Sequence, residues 1–236
     1  MNIIDLNTVY GTGVASTYNY SIEDLESSLL ENGISKAFTL NSSGIFYNFS
    51  LGNEITIKEL SGKDMFYPVA TINPGGFFSH EASIENLKLQ GFKAIKLFPE
   101  IQGWKIDNIV LKEILELNNQ VGLPIIINTS LFGEISSLSS IYNYDFPLIC
   151  GGVSFENTAE FVVFAKKNPK VFVECGAFKS HYVLNKVIYE IGADRVLFGS
   201  NSPQDLPKVS IDFILKSKIS DTDKEKILSL NILNII

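Results

Sequence analysis

Lys93-Ala-Ile-Lys-Leu97 is a short apolar run. Some ten residues on comes Asp107 to Gln120, with Ile109, Val110, Ile114, Leu115 and Leu117 near one helical face. Gly122 stops that helix, and Pro124-Ile-Ile-Ile127 is a second apolar run. This is a strand–helix–strand unit, and its pattern repeats along the chain. Strands are expected at Asn2–Leu6, Lys36–Leu40, Tyr67–Ile72, Lys93–Leu97, Pro124–Ile127, Phe146–Cys150, Lys170–Glu174 and Arg195–Phe198. None keeps the polar/apolar alternation of a sheet with one wet face, so all read as buried parallel strands. Helices are expected at Ser21–Gly33, His80–Leu89, Asp107–Gln120, Ser154–Lys167, His181–Ile191, Lys208–Ser217 and Ser220–Leu228. Eight units at about 29 residues each predict an α/β fold, a (β/α)8 TIM barrel, in preference to an open doubly wound sheet. Residues 1–236 read as one domain, and roughly Asn41–Asn53 reads as a loop over the barrel mouth.

Composition narrows the function classes. There are 19 Lys and Arg against 26 Asp and Glu, a formal charge of −7, and 45% of residues are hydrophobic. That balance excludes a disordered chain, and its acidity argues against nucleic acid or an anionic membrane as partner. Two cysteines are too few for a disulfide framework. The opening Asn2-Ile-Ile-Asp-Leu6 has no basic segment before it, so no signal peptide is expected, and no apolar run is long enough for a membrane span. A cytoplasmic protein is the expectation.

A barrel places its chemistry at the C-terminal ends of its strands. There the chain carries Ile4-Asp5-Leu6-Asn7-Thr8-Val9-Tyr10-Gly11, Gly91-Phe-Lys-Ala-Ile-Lys96-Leu-Phe98-Pro99, Gly122-Leu-Pro-Ile-Ile-Ile-Asn128-Thr129 and Gly192-Ala-Asp-Arg-Val-Leu-Phe-Gly-Ser-Asn201-Ser-Pro203. In this order and wording the chain resembles the amidohydrolase-related branch of the amidohydrolase superfamily, metal-dependent hydrolases and nonoxidative decarboxylases on distorted (β/α)8 barrels. The resemblance implies metal ligands at two first-strand histidines, a histidine after the fifth strand and an aspartate after the eighth. Those positions hold Asn7, Val9, Asn128 and Asn201, and the fourth-strand histidine is matched by Phe98. Valine has no lone pair, asparagine supplies no charge, and Asn201 cannot act as a base. The expectation is therefore a barrel without its metal, with no cofactor, binding a small polar ligand.

Lys96 and Glu174 are the catalytic candidates. Lys96 either serves a ligand or is paired within the barrel with Glu174 or Asp5. Asn7, Asn128, Asn201 and Ser200 are the candidate ligand-binding residues, with a satisfied polar network in the metal's place as the plainer alternative. Cys150 and Cys175 read as buried structural thiols. A Cys175–His181 nucleophile pair lacks a third, orienting residue. Two further classes stand beside ligand binding: a hydrolase or lyase using rearranged residues such as Lys96, Glu174 and Glu100, and a pseudoenzyme pairing with an active paralogue or with itself.

Overall fold

The computed structural model describes residues 2–13, 19–78 and 83–236. Eight parallel strands follow the expected order: β1 (Ile4–Thr12), β3 (Lys36–Asn41), β4 (Phe66–Thr71), β5 (Ala94–Leu97), β6 (Ile125–Asn128), β7 (Leu148–Gly151), β8 (Val171–Glu174) and β9 (Val196–Leu197). A short strand, β2 (Asn19–Tyr20), pairs antiparallel with the end of β1. Each strand bonds to the next from β3 to β9. The circuit closes where Leu6 N–H donates to Phe198 O and Val9 N–H to Ser202 O, both at 3.0 Å. The architecture is a curled parallel sheet jacketed by helices, the TIM barrel the repeat predicts.

The inward face explains the short strands. Ile4, Leu6, Phe38, Leu40, Val69, Ala94, Ile126, Ile149 and Leu197 fill the lower barrel, and Ile232 of the C-terminal helical segment packs with them. Each side chain larger than Ala94 contributes about 1.5–3 kcal/mol through full burial, so the lower interior is a solid core. A second apolar cluster lies between sheet and helices, holding residues such as Leu25, Ile95, Leu111, Ile125, Phe161 and Leu184. Strand residues on both faces are thus buried, which is why no alternation shows in the sequence.

Two expectations need correction. The first strand does not end at Leu6 but runs on to Thr12, with a register shift between Asp5 and Thr8 against β3. The segment Asn41–Asn53 is not an open loop. It holds a short helix (Ser43–Phe46) and the start of a helix at Phe49–Leu60, capped by the Asn48 side chain accepting from Leu51 N–H at 2.9 Å. Glycine at 44 and 52 hides the pattern because it reads as turn. Here it lets two helices touch: a Cβ on Gly52 would lie 2.1 Å from Gly44 N. The expected helix from His80 is observed as Ile84–Leu89, and His80 lies outside the described residues. No helix among the described residues is long and apolar enough to cross a membrane.

Candidate functional site

Above the apolar layer, the barrel opens into a cavity of about 810 Å³. Asn7, Val9, Lys96, Phe98, Asn128 and Asn201 all line it, so every position matched to a family metal ligand reaches one place. The β1 register shift makes this happen. Inward residues below it are Ile4 and Leu6, and above it they are Asn7 and Val9, since one extra residue exchanges the two faces of a strand. Asp5 holds the shift: its Oδ1 accepts from Asn7 N–H and from Ser200 N–H, each at 2.9 Å. One carboxylate therefore ties the β1 bulge to the turn after β9.

Burial pushes the Asp5 carboxyl up to about 6, opposed by the Ser200 side chain and the two backbone donors, while the charge on Glu174 adds to the rise. Its Oδ2 is buried without a well-formed hydrogen bond. Because the folded carboxyl binds its proton more tightly than the unfolded one, the native state holds more protons between roughly pH 4 and 6. Stability supplied by this group is present below that window and lost as pH rises through it. Asp5→Asn keeps the Oδ1 acceptor and removes the titration. Urea unfolding at pH 4 and pH 7 should show the wild type losing on the order of 2–3 kcal/mol relative to the variant across the interval. Parallel pH profiles would contradict it.

Lys96 lies inward on β5 between Ala94 and Phe98, only 3% exposed. Its Nζ donates to Asn7 Oδ1 and lies 5.2 Å from the centre of the Phe98 ring. Asn7 Nδ2 donates in turn to Glu174 Oε2 at 3.2 Å, and Glu174 Oε1 accepts from Gly176 N–H. The expected direct pairing of Lys96 with Glu174 or Asp5 is thus not formed. The Asn7 amide stands between cation and anion, and Asp5 is spent on backbone donors. Burial lowers the Lys96 amine to about 8, against the charges of Glu174 and Asp5, and raises Glu174 against the Gly176 N–H, Lys96 and Asn7. Glu174 is not on the cavity wall but beneath Asn7, in a niche made by two glycines. A Cβ at Gly199 would lie 2.4 Å from Glu174 Oε1, and one at Gly176 would lie 2.6 Å from it.

Asn128 ends β6, half-buried, and no described residue hydrogen-bonds its side chain. Gly151 leaves it room, since a Cβ there would approach Asn128 Oδ1 to 2.9 Å. Asn201 adopts a left-handed φ of 61° and donates through Nδ2 to Asp205 at 3.1 Å. Ser200 does not line the cavity. It is fully buried, and its Oγ accepts from Ser202 N–H at 3.1 Å, so it braces the turn. Glu100 is exposed, bonded to Ser130 Oγ at 2.6 Å, and also outside the cavity wall. The two cysteines are buried, with burial raising Cys150 to about 12 and Cys175 well above its usual value. His181 Nε2 lies 2.9 Å from Phe213 O and makes no bond to Cys175. Missing from the sequence reading were Ser42, Ile45 and Phe46, which the short helix after β3 brings to the wall. The Asn48 cap ahead of Phe49 was the signal for the helices there.

A model of the amidohydrolase family matches residues 52–235. The chain belongs to that family. Among solved structures, the family barrel described here is similar to an uncharacterized TIM-barrel protein from Bordetella bronchiseptica, with 17% identity and a TM-score of 0.78 over 100% of this chain and 98% of that one. It is similar to 2,6-dihydroxybenzoate decarboxylase from Rhizobium, with 14% identity and a TM-score of 0.77 over 99% and 98%. It is also similar to 5-carboxyvanillate decarboxylase from Sphingomonas paucimobilis, with 12% identity and a TM-score of 0.75 over 99% and 98%. At such identities these likenesses speak for the fold. No curated protein matches.

Against the divalent metal that the family resemblance implies, this amidohydrolase-family mouth offers amides, a valine and an ammonium. Among the described residues no three His, Cys, Asp or Glu side chains gather where they could hold a metal. Neutral amide oxygens bring no charge, and a lysine amine protonated below about pH 8 repels a dication. The residues present do not fit that metal.

Proposed function

We propose that this amidohydrolase-family barrel has lost the metal centre and binds a small, polar, oxygen-bearing ligand at its mouth. The observation that supports the reading is the Lys96 amine, bonded to the Asn7 amide at the family's ligand position and facing an open cavity beside the unpartnered Asn128. Lys96 supplies a charge-assisted donor, while Asn128 and Asn201 present amides that donate or accept. The apolar rim of Val9, Ile45, Phe46, Phe98 and Ile101 excludes water around them. Asn7 on the wall and Glu174 behind it hold Lys96 in place.

The test uses protein purified without chelators, then divided and treated with EDTA. Elemental analysis should find well under one equivalent of zinc, manganese or iron. A panel of small carboxylic and carbonyl compounds, each at about 100 times its dissociation constant, should stabilise both halves equally, by about 2.7 kcal/mol for a true ligand. Lys96→Met should remove the effect. One tightly held metal equivalent, or stabilisation that EDTA abolishes, would refute the reading. A second reading, a metal-independent hydrolase or lyase, draws on the chain Lys96–Asn7–Glu174, which joins a base of lowered affinity for protons to an acid of raised affinity through one amide.

A further inference from the structure

We propose that Lys96 is an imine-forming amine, condensing through Nζ with the carbonyl carbon of a small aldehyde or ketone held in the barrel-mouth cavity. The proposal rests on the reading of the cavity as a small-ligand site and goes beyond it, because it names a covalent chemistry and the ligand class that chemistry requires.

The geometry separates this lysine from a structural one. A buried lysine that serves the fold most often has a carboxylate as its direct partner. Here the only protein hydrogen bond of Nζ among the described residues runs to a neutral amide oxygen, with the Phe98 ring on another side. Among the described residues lining the cavity there is no carboxylate, histidine or cysteine, so Lys96 is the one nitrogen nucleophile on its wall. Its position is fixed by β5, with an apolar layer below. A ligand carbonyl would find a donor close by. Lys96 pairs in register with Ile126 on β6, so the unpartnered Asn128 lies on the same face, one pleat nearer the mouth. The charged groups acting on the amine are Glu174 from β8 and Asp5 from β1, neither within ion-pair distance. Burial outweighs both and leaves a substantial fraction of the amine neutral in mildly alkaline solution.

The chemistry needs no oxidant or further cofactor. The Nζ lone pair bonds to the carbonyl carbon as the C=O π pair moves onto oxygen. One amine proton passes to that oxygen, giving a carbinolamine. A proton from solvent then lets the oxygen depart as water, and the nitrogen lone pair closes the C=N bond of a protonated imine. The water carries the carbonyl oxygen, one amine hydrogen and one solvent proton.

Glyoxylate with sodium cyanoborohydride, at pH 7, tests this on the intact chain. Reduction traps the imine as a carboxymethyl group on nitrogen, which peptide mass mapping assigns to a residue without any variant. Lys96 should be labelled at least about tenfold faster than the exposed Lys93, reflecting its larger neutral fraction. Glycolate, which has no carbonyl, is the companion probe for binding alone. If Lys96 stays unlabelled while exposed lysines react, the imine chemistry is overturned. A melting shift with glycolate in that same case would leave the cavity reading standing. No shift with either acid or with the wider panel would bring both down.

Discussion

Glu174→Ala is expected to cost about 3–5 kcal/mol, the range for removing one partner from a buried charged set. The carboxylate accepts from Asn7 Nδ2 and Gly176 N–H and faces the buried Lys96 amine across the Asn7 amide. Its loss leaves two donors unsatisfied and the cation with no nearby compensation beyond Asp5. Lys96 has a way out, since it can shed its proton, and so the deficit should shrink as pH rises from 6.5 to 9. Lys96→Met should cost less than the glutamate truncation, because Glu174 keeps its donors and the methionine stem refills the space beside Phe98. Urea unfolding of the two variants at both pH values decides the matter. If Lys96→Met costs as much as Glu174→Ala, or the deficit is flat with pH, the carboxylate does not organise this network.

The second large effect lies outside the charged site. Gly52→Ala is expected to lose about 3 kcal/mol or more, at the upper end of overpacking costs. The added Cβ would lie 2.1 Å from Gly44 N and 2.2 Å from Gly44 Cα, and backbone cannot rotate away. Nor can the helix slide. Asn53 Oδ1 accepts from Thr71 N–H at 2.9 Å and its Nδ2 donates to Thr71 O at 3.0 Å, and Thr56 Oγ1 accepts from Asn41 N–H at 2.9 Å. The displaced wall would carry Ile45 and Phe46 with it, so ligand-induced stabilisation should fall too. Gly62→Ala is the control. Its φ of 77° strains alanine, but nothing lies within 4 Å, so roughly 1 kcal/mol is expected. Equal melting temperatures for the two variants would show the helices part freely.

What the sequence made legible follows from where information is redundant. Each of the eight strands is a run of branched or aromatic residues between turn signals, and each is found within a few residues of its expected place, β1 alone extending well past its expected end. The convergence of Asn7, Asn128 and Asn201 was also readable, because strand ends in a barrel meet at one mouth. The depth of each side chain was not. Ser200 and Asn201 are neighbours, yet the left-handed backbone at Asn201 turns one to the cavity while the other stays under the turn. Glu174 reaches inward but stops beneath Asn7, a placement that depends on the missing side chains of Gly176 and Gly199. Residues 7–12 carry polar and small side chains that look like loop, and only the register shift against β3 keeps them in the sheet.

That shift at Asp5–Thr8 divides the first strand into two independent halves. Even-numbered positions below it build the apolar plug, and odd-numbered positions above it face the mouth. A substitution at Asn7 therefore changes what the mouth presents, whereas Val9 both lines the mouth and packs on the apolar layer beneath it. Asp5 serves as the hinge pin between the halves, and it spends its bonds on backbone rather than on any side chain of the mouth. The chemistry of such a mouth can change while the scaffold beneath stays as it was, which is how this fold comes to carry amides and a valine at positions where the family resemblance implies metal ligands.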